Sequence, residues 1–386
     1  MSKLSSAAIA KANRCSTVFA KFLSPNDTGL TGGHQYGIYI PKNSVGLIFD
    51  GLFARGQNHK RYARIIWNDE TETESCFTYY GVGTRNEYRI TRFGRGFTLL
   101  KPDHTGDLAV ICKESADYYS AYILSTEEEI EDFLDVFSLS PTAVNQLIKS
   151  ESDSVASERD VFEDYLVKFG GEFPTTTVMA VSAEEIDAIL QGKTAESTPD
   201  DTIVRWVEAE YKLFRKVEEA YYYWITEAPA NSLEEFVQTG LEIANRRKSR
   251  AGKSLEHHLA ALFDGCGLSY AAQAVTEGKK KPDFIFPSQE AYHDPAFPEE
   301  KLVFLGAKTT CKDRWRQVLN EADRIKKKYL FTLQQGVSPS QLDEMHAENL
   351  VLVVPACYHK CFPPTEYESV ISLDEFIKRV RATQVL

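Results

Sequence analysis

No stretch of the 386 residues strings together the roughly 18 apolar side chains that a membrane-crossing helix needs. The opening MSKLSSAAIAKANRC has none of the apolar core of a secretory leader. Both absences predict a cytoplasmic protein with no membrane partner. There is no CxxC pair among the seven cysteines, which number an odd count and scatter from Cys15 to Cys361. Cys357, His359 and Cys361 lie close in sequence, yet no fourth ligand stands nearby, so free thiols in a reducing compartment are the simpler reading than zinc. Positive charge is also in short supply. Lys and Arg total 44 against 56 Asp and Glu, a net charge of -12. That excludes a chain that coats nucleic acid through bulk charge, but not one that grips phosphates with local basic clusters.

The length favours two domains or three. Short strand-like runs separated by Gly, Asn and Asp fill residues 16–125: Gln35–Pro41, Val45–Phe49, Ala63–Trp67, Ser75–Tyr80, Tyr88–Arg92, Leu108–Cys112 and Tyr119–Leu124. Such spacing predicts a β-barrel or sandwich. Acidic helical sequence follows, with a capping box at Ser125 opening STEEEIEDFLDVF and a second segment in ESDSVASERDVFEDYLVKF. Gly170-Gly171 and residues 192–201 read as breaks. Beyond them helices at Ile203–Trp224, Leu233–Arg247, Ser254–Phe263, Arg314–Lys327 and Leu373–Ala382 alternate with strands. The strands are Tyr270–Thr276, Asp283–Phe286, Val303–Lys308, Tyr329–Leu333 and Leu350–Val354. This is the pattern of an α/β domain with a central mixed sheet. The division predicted is 1–170 and 171–386.

Chemistry concentrates in the second half. Pro282-Asp283 sets a carboxylate at the start of the apolar run Phe284–Phe286, and Lys308 closes a second core strand. Glu321 follows thirteen residues later on a predicted helix. Two carboxylates and a lysine are what a magnesium-dependent phosphodiesterase uses: oxygen ligands for a hard cation, and a cation to steady water and developing charge. Alone, such a triplet is weak. Lys312-Asp313-Arg314-Trp315-Arg316 strengthens it, because Arg grips guanine bidentately and a carboxylate accepts from the cytosine amino group. Upstream, Arg246, Arg247, Lys248, Arg250 and Lys253 put five cations into eight residues, a phosphate clamp predicted to sit between two helices. Lys279, Lys280 and Lys281 add to the same surface. Glu256 is either a further carboxylate of the metal site or a helix-face residue.

At these residues the chain resembles the EcoRII restriction endonucleases, which are type IIE enzymes. The stretches that carry the resemblance are NRRKSRAGKSLE, TEGKKKPDFIFPS, AYHD, KTTCKDRWRQVLNEAD, LFTLQQGVS and LVVP, with SPNDTG, TGGHQYGIYIP and TRNEYRITRFGRG in the first half. The resemblance implies a PD…K nuclease core in which Asp283, Lys308 and Glu321 are catalytic, with Tyr292 as a further candidate. Asp283, Glu321 and the Ala307 carbonyl would hold Mg2+, while Lys312, Asp313 and Arg314 occupy the base-reading segment. It also implies an N-terminal pseudobarrel that binds a second copy of the site as effector. The arms would be Asn26–His34 and Arg85–Arg95, bearing Asn26, His34, Arg85, Glu87, Arg89, Arg92 and Arg95. Tyr88 stands there where a cation would be comfortable. The implied partners are double-stranded DNA, a second subunit, and a cognate cytosine methyltransferase that protects host DNA without touching the nuclease. The family site is CCWGG; CCNGG remains open, as do a non-catalytic DNA-binding regulator and a structure-specific repair nuclease.

Overall fold

The computed structural model describes residues 1–32, 37–149, 161–191, 198–227, 230, 232–365 and 367–384. Its first half is an eight-stranded sheet that curls into a nearly closed barrel. After helix α1 (Lys3–Arg14) come β1 (Thr17–Phe22), β2 (Ile38–Ile40), β3 (His59–Trp67), β4 (Glu72–Tyr80), β5 (Glu87–Thr91), β6 (Leu108–Lys113) and β7 (Tyr118–Leu124). Helix α2 (Glu127–Val136) and β8 (Gln146–Lys149) complete it. The order is β2-β5-β4-β3-β7-β6-β1-β8. Only the β3–β7 pair runs parallel among these neighbours.

Alternation divides the side chains between two cores. Phe19, Ile111 and Tyr119 point into the barrel, whereas Val18, Ala20 and Val110 face α1 and α2. β1 is buried along its whole length because both of its faces are covered. It therefore lacks the alternation that marks a half-exposed strand, which is why no strand was expected there. Val45–Phe49, expected as a strand, lies largely in a 3-10 turn, Lys42–Leu47, entered through Pro41. Val45 and Leu47 pack into the barrel core beside Leu147 of β8. The cap of α2 falls one residue later than expected: Thr126 and Glu129 form the reciprocal box.

The second half carries α3 (Val161–Phe169), α4 (Thr176–Gln191), α5 (Pro199–Tyr221), α6 (Trp224–Glu227) and α7 (Leu233–Gly265). Next come β9 (Ala271–Ala272), β10 (Phe284–Phe286), α8 (Gln289–His293), β11 (Val303–Lys308), β12 (Lys328–Thr332), α9 (Pro339–Ala347), β13 (Leu350–Val353), β14 (Val370–Ile371) and α10 (Leu373–Gln384). The six strands lie in the order β14-β13-β12-β11-β10-β9. β11 to β14 pair in parallel, and β9 and β10 antiparallel, giving the expected mixed sheet. One face packs on α5, α7 and α10 through Leu305, Phe331 and Phe376; the other packs on Trp315, Leu342 and Met345.

Two expectations need correction. The two helices expected around the basic cluster are one 33-residue helix, α7, so the cations lie along a helix and not in a loop. No proline interrupts this stretch, and Gly240 and Gly252 keep helical backbone. The expected helix at Arg314–Lys327 is a 3-10 segment, Arg314–Asn320, after which Glu321 is extended (φ -101, ψ 145) and Ala322 is left-handed (φ 51). Glu321 thus sits on an irregular segment. The tight turn brings Val318 against β11, where a Cβ on Gly306 would stand 2.9 Å from Val318 Cγ1. The sequence 151–160 lies outside the described residues. Among the described residues no helix is long and apolar enough to cross a membrane.

Candidate active site and DNA-facing surfaces

β10 and β11 pair side by side, with Phe284 opposite Leu305. That register carries Asp283 to the end of β11. Its Oδ2 accepts the Ala307 N–H at 2.8 Å and lies 3.8 Å from Lys308 Nζ. Gln273 Nε2 reaches Asp283 Oδ1 at 3.2 Å and Glu256 Oε2 at 3.0 Å, tying Glu256 of α7 to the same cluster. Electrostatics joins Glu321 to it. Burial, then the Asp283 charge, pushes the Glu321 carboxyl up to about 7, while Lys308 pulls it down. Glu256 is raised by the same two causes in the same order. Glu321 and Glu256, each held up by burial and by the Asp283 charge, stand with Asp283 around one lysine in a centre suited to a divalent cation.

The donors are hard oxygens, which fits Mg2+. Among the described residues no three His, Cys, Asp or Glu side chains stand close enough to make a closed metal cage. His359 turns its Nε2 to the Val354 carbonyl at 3.0 Å.

The Glu321 segment is anchored from below. Lys328, 4% exposed at the start of β12, donates from Nζ to the carbonyls of Glu321 and Ala322, the second at 2.7 Å. Glu277 accepts from Asp323 N and from the Tyr292 hydroxyl, which also receives Arg324 N at 3.3 Å. Tyr292 is therefore buried behind the Glu321 segment, with its hydroxyl on Glu277 instead of Asp283 or Lys308. Neither Lys328 nor Gln273 stood out in the sequence, since each acts through contacts that only the folded chain makes.

The expected base-reading residues are all engaged by the first half. Lys312, 3% exposed, donates to Asp107 Oδ1 at 2.5 Å. Glu127 Oε2 receives the backbone N–H of Asp313 (2.9 Å) and Arg314 (2.8 Å), while Asp313 Oδ2 accepts from Glu127 N. The Arg314 guanidinium bridges Glu127 and Glu131. Arg316 pairs with Glu344 and lies over the Trp315 ring. A cavity of about 220 Å³ remains between α2, α7 and β11, lined in part by Glu131, Asp135, Lys248, Glu256, Lys308 and Arg314. It has room for a few waters but not for a duplex. The i, i+4, i+8 spacing of Glu127, Glu131 and Asp135 places them on one helical face. That spacing was readable in the sequence, but its target was not.

The basic cluster divides. Arg247 grips Glu218 and the Val136 carbonyl at the end of α2, and Arg246 lies over Phe173 at 4.4 Å. Arg250 is 4% exposed, stacked 3.6 Å from the Tyr211 ring. Lys248 and Lys253 are exposed. In the barrel, Arg85, Arg92 and Arg95 are exposed and Asn26 and Glu87 partly so. Arg89 is 3% exposed, donating to the Gly37 carbonyl, and so braces the fold in place of facing DNA. Tyr88 is a core residue whose hydroxyl accepts Phe53 N, so it occupies no contact position. His34 lies outside the described residues.

Residues 12–149 match the family model described as "Restriction endonuclease EcoRII, N-terminal", and residues 214–377 match "EcoRII C terminal". The chain is 38% identical over 395 residues to "Type II restriction enzyme EcoRII" of Escherichia coli, covering 93% of each. It belongs to the EcoRII family. Its activity is that of a type II restriction enzyme, site-specific cleavage of DNA. It is also 28% identical over 143 residues to "Type II restriction enzyme SsoII" of Shigella sonnei, covering 34% of this chain and 45% of that one. A structural match is "Metal-depleted Ecl18kI in complex with uncleaved DNA", with TM-score 0.42 and 20% identity over 57% of this chain and 83% of that one.

Proposed function

We propose that this EcoRII-family chain is a Mg2+-dependent nuclease that cuts both strands of a short G·C-rich site, CCWGG, in the cytoplasm. It works as a homodimer, and effector DNA on its N-terminal domain (1–170) activates the nuclease domain (171–386). The observation that carries the reading is the bond from Ala307 N–H to Asp283 Oδ2, which fixes one carboxylate beside Lys308 and within electrostatic reach of Glu321 and Glu256. Asp283, Glu321 and the Ala307 carbonyl would hold the cation. The chemistry such an ion would supply there is that of a Lewis acid, polarisation of the scissile phosphate and a lowered pKa for water. Lys308 Nζ would orient the attacking water and balance the charge that develops on phosphorus or, in its neutral form, take that water's proton. Gln273 keeps Asp283 and Glu256 in register.

Effector control is supported by the occupied reading segment. While Glu127 and Asp107 hold Arg314, Asp313 and Lys312, those groups cannot meet bases. DNA on the barrel arms, through Arg85, Arg92 and Arg95, would shift the population toward a state with the segment free. A cognate cytosine methyltransferase would protect host sites without contact. The test is a two-site plasmid incubated with and without Mg2+, with sequencing of the cut ends. Cleavage at CCWGG that Lys308→Ala abolishes is expected; cutting by that variant at the normal rate sinks the assignment. Cleavage at CCNGG would replace the proposed site, and binding without cleavage would favour a regulator.

A further inference from the structure

A second cavity, of about 310 Å³, opens between the start of α4 and the middle of α7. Its polar lining is Thr175, Thr176, Asn245, Arg246, Ser249 and Arg250. Among the described residues no carboxylate lines it, in a chain where Asp and Glu outnumber Lys and Arg by 56 to 44. None of these six belongs to the lining of the cavity at Lys308 and Glu256.

The two arginines are left with charge to spare. They stand four residues apart on one face of α7, a spacing at which like charges repel. Arg247 beside them is answered by Glu218, but among the described residues neither Arg246 nor Arg250 forms an ion pair. Arg246 lies over the rings of Phe173 and Tyr221, at 4.4 and 5.4 Å. Arg250 is 4% exposed, 3.6 Å from the Tyr211 ring centroid and 4.3 Å from that of Phe214. Its Nε and Nη1 have no hydrogen-bond acceptor. Asp135 feels the Arg250 charge without pairing with it, and lines the other cavity. A buried guanidinium without a counter-charge is costly, and ring faces offset that only in part.

A helix end adds to the positive field. Thr175 caps α4, accepting the Val178 N–H on Oγ1 at 3.3 Å, and the first N–H groups of a helix have no acceptor within it. Such an end, with two arginines beside it, favours an anion. Size and donor chemistry narrow the choice. Small-molecule pockets run from roughly 300 to 1,000 Å³, so this one suits a compact ligand and not a duplex. Two guanidinium forks, three hydroxyls and the Asn245 amide offer donors to several oxygens at once, as a tetrahedral oxyanion presents them. We propose that the pocket between α4 and α7 binds a phosphate group, free or at the end of a mononucleotide. The site shares no lining residue with the metal centre, so its occupancy is independent of the nuclease reading.

The test is calorimetry on the full-length chain in phosphate-free buffer. Inorganic phosphate, adenosine 5′-monophosphate, adenosine and an unphosphorylated duplex serve as separate titrants. One phosphate per chain is expected, with a melting temperature that rises as phosphate is added. Tighter binding of the monophosphate, with none of adenosine, assigns the nucleotide; equal affinities for phosphate and monophosphate assign the free ion. Arg250→Gln should weaken phosphate binding about tenfold or more. That residue is buried and its loss can disturb packing, so Ser249→Glu is the second variant. Ser249 is exposed, and the added carboxylate would sit by both arginines as a built-in anion. It should abolish phosphate binding and raise the melting temperature in phosphate-free buffer, which unfolding cannot do. No heat from phosphate or from the monophosphate overturns the proposal, as does binding that survives both variants. Binding of the duplex alone, lost in the same variants, also overturns it and returns both arginines to a DNA clamp.

Discussion

At the scale of single residues, the chemistry hangs on how Glu321 is held. Asp283 and Lys308 end regular strands, and their apolar neighbours mark those strands in the sequence. Glu321 was identifiable by spacing and resemblance, but its support was not, because an extended, left-handed segment has no periodic signature. Lys328 provides that support. Lys328→Met leaves two carbonyls without their donor, at a cost of about 1–3 kcal/mol if the segment cannot relax. The expected result is a ten- to hundredfold loss of turnover and weaker Ca2+ binding by calorimetry, with DNA affinity retained. Unchanged metal binding would remove Lys328 from the site's support.

The Glu321 carboxyl titrates near 7, against an ordinary value of 4.5. A raised carboxylate favours the folded state while protonated. Its contribution is full below the unfolded value and is lost as pH rises through the folded one. A divalent cation competes with that proton. Metal affinity should therefore climb toward about pH 7 and level off above it, falling about tenfold for each unit below. Calorimetry with Ca2+ at about pH 6 and about pH 8 measures this, and equal affinities would count against Glu321 as a ligand.

Elements carry a different lesson. β3 was legible because one of its faces is largely wet, while β1 hid because the barrel core covers one face and α1 and α2 the other. α2 was legible as an acidic capped helix, yet nothing local told what its acids touch. Folded, Glu127 is 2% exposed and satisfies two backbone N–H groups and the Arg314 guanidinium. Glu131 meets the same guanidinium and Thr310. Glu127→Gln with Glu131→Gln removes both counter-charges from Arg314 and keeps the helix. Arg314 is 42% exposed, so solvent screens these pairs and about 1 kcal/mol of restraint is lost. Cleavage of single-site DNA should rise at least severalfold in a rate assay, and the gain should shrink at high salt, where the unaltered enzyme is itself loosened. No gain at any ionic strength would mean that α2 is a passive neighbour.

Across the whole molecule, the two halves meet through a set of polar contacts, several of them deeply buried. Lys312 and Asp107 are 3% and 1% exposed, Gln334 Nε2 donates to the Gly106 carbonyl at 2.8 Å, and Gln335 Nε2 to the Pro141 carbonyl at 2.7 Å. Gly106 and Gly336 are packed so closely that a Cβ on Gly106 would stand 2.0 Å from the Gly336 carbonyl oxygen. Paired charges in such a place stabilise little against the alternative of solvating both, but losing one partner strands the other. On the proposed reading, such an interface would hold one docked state and open as a unit when DNA offers phosphates and bases to the same cations. Removing residues 1 to about 170 should free Lys312, Asp313 and Arg314 together. The remaining chain should cut a one-site plasmid as fast as a two-site plasmid, whereas the full chain should prefer two sites by about tenfold or more, the size of a typical coupling between sites. A truncated enzyme that still needs two sites would place the effector requirement within the nuclease dimer and leave the α2 contacts without a regulatory part.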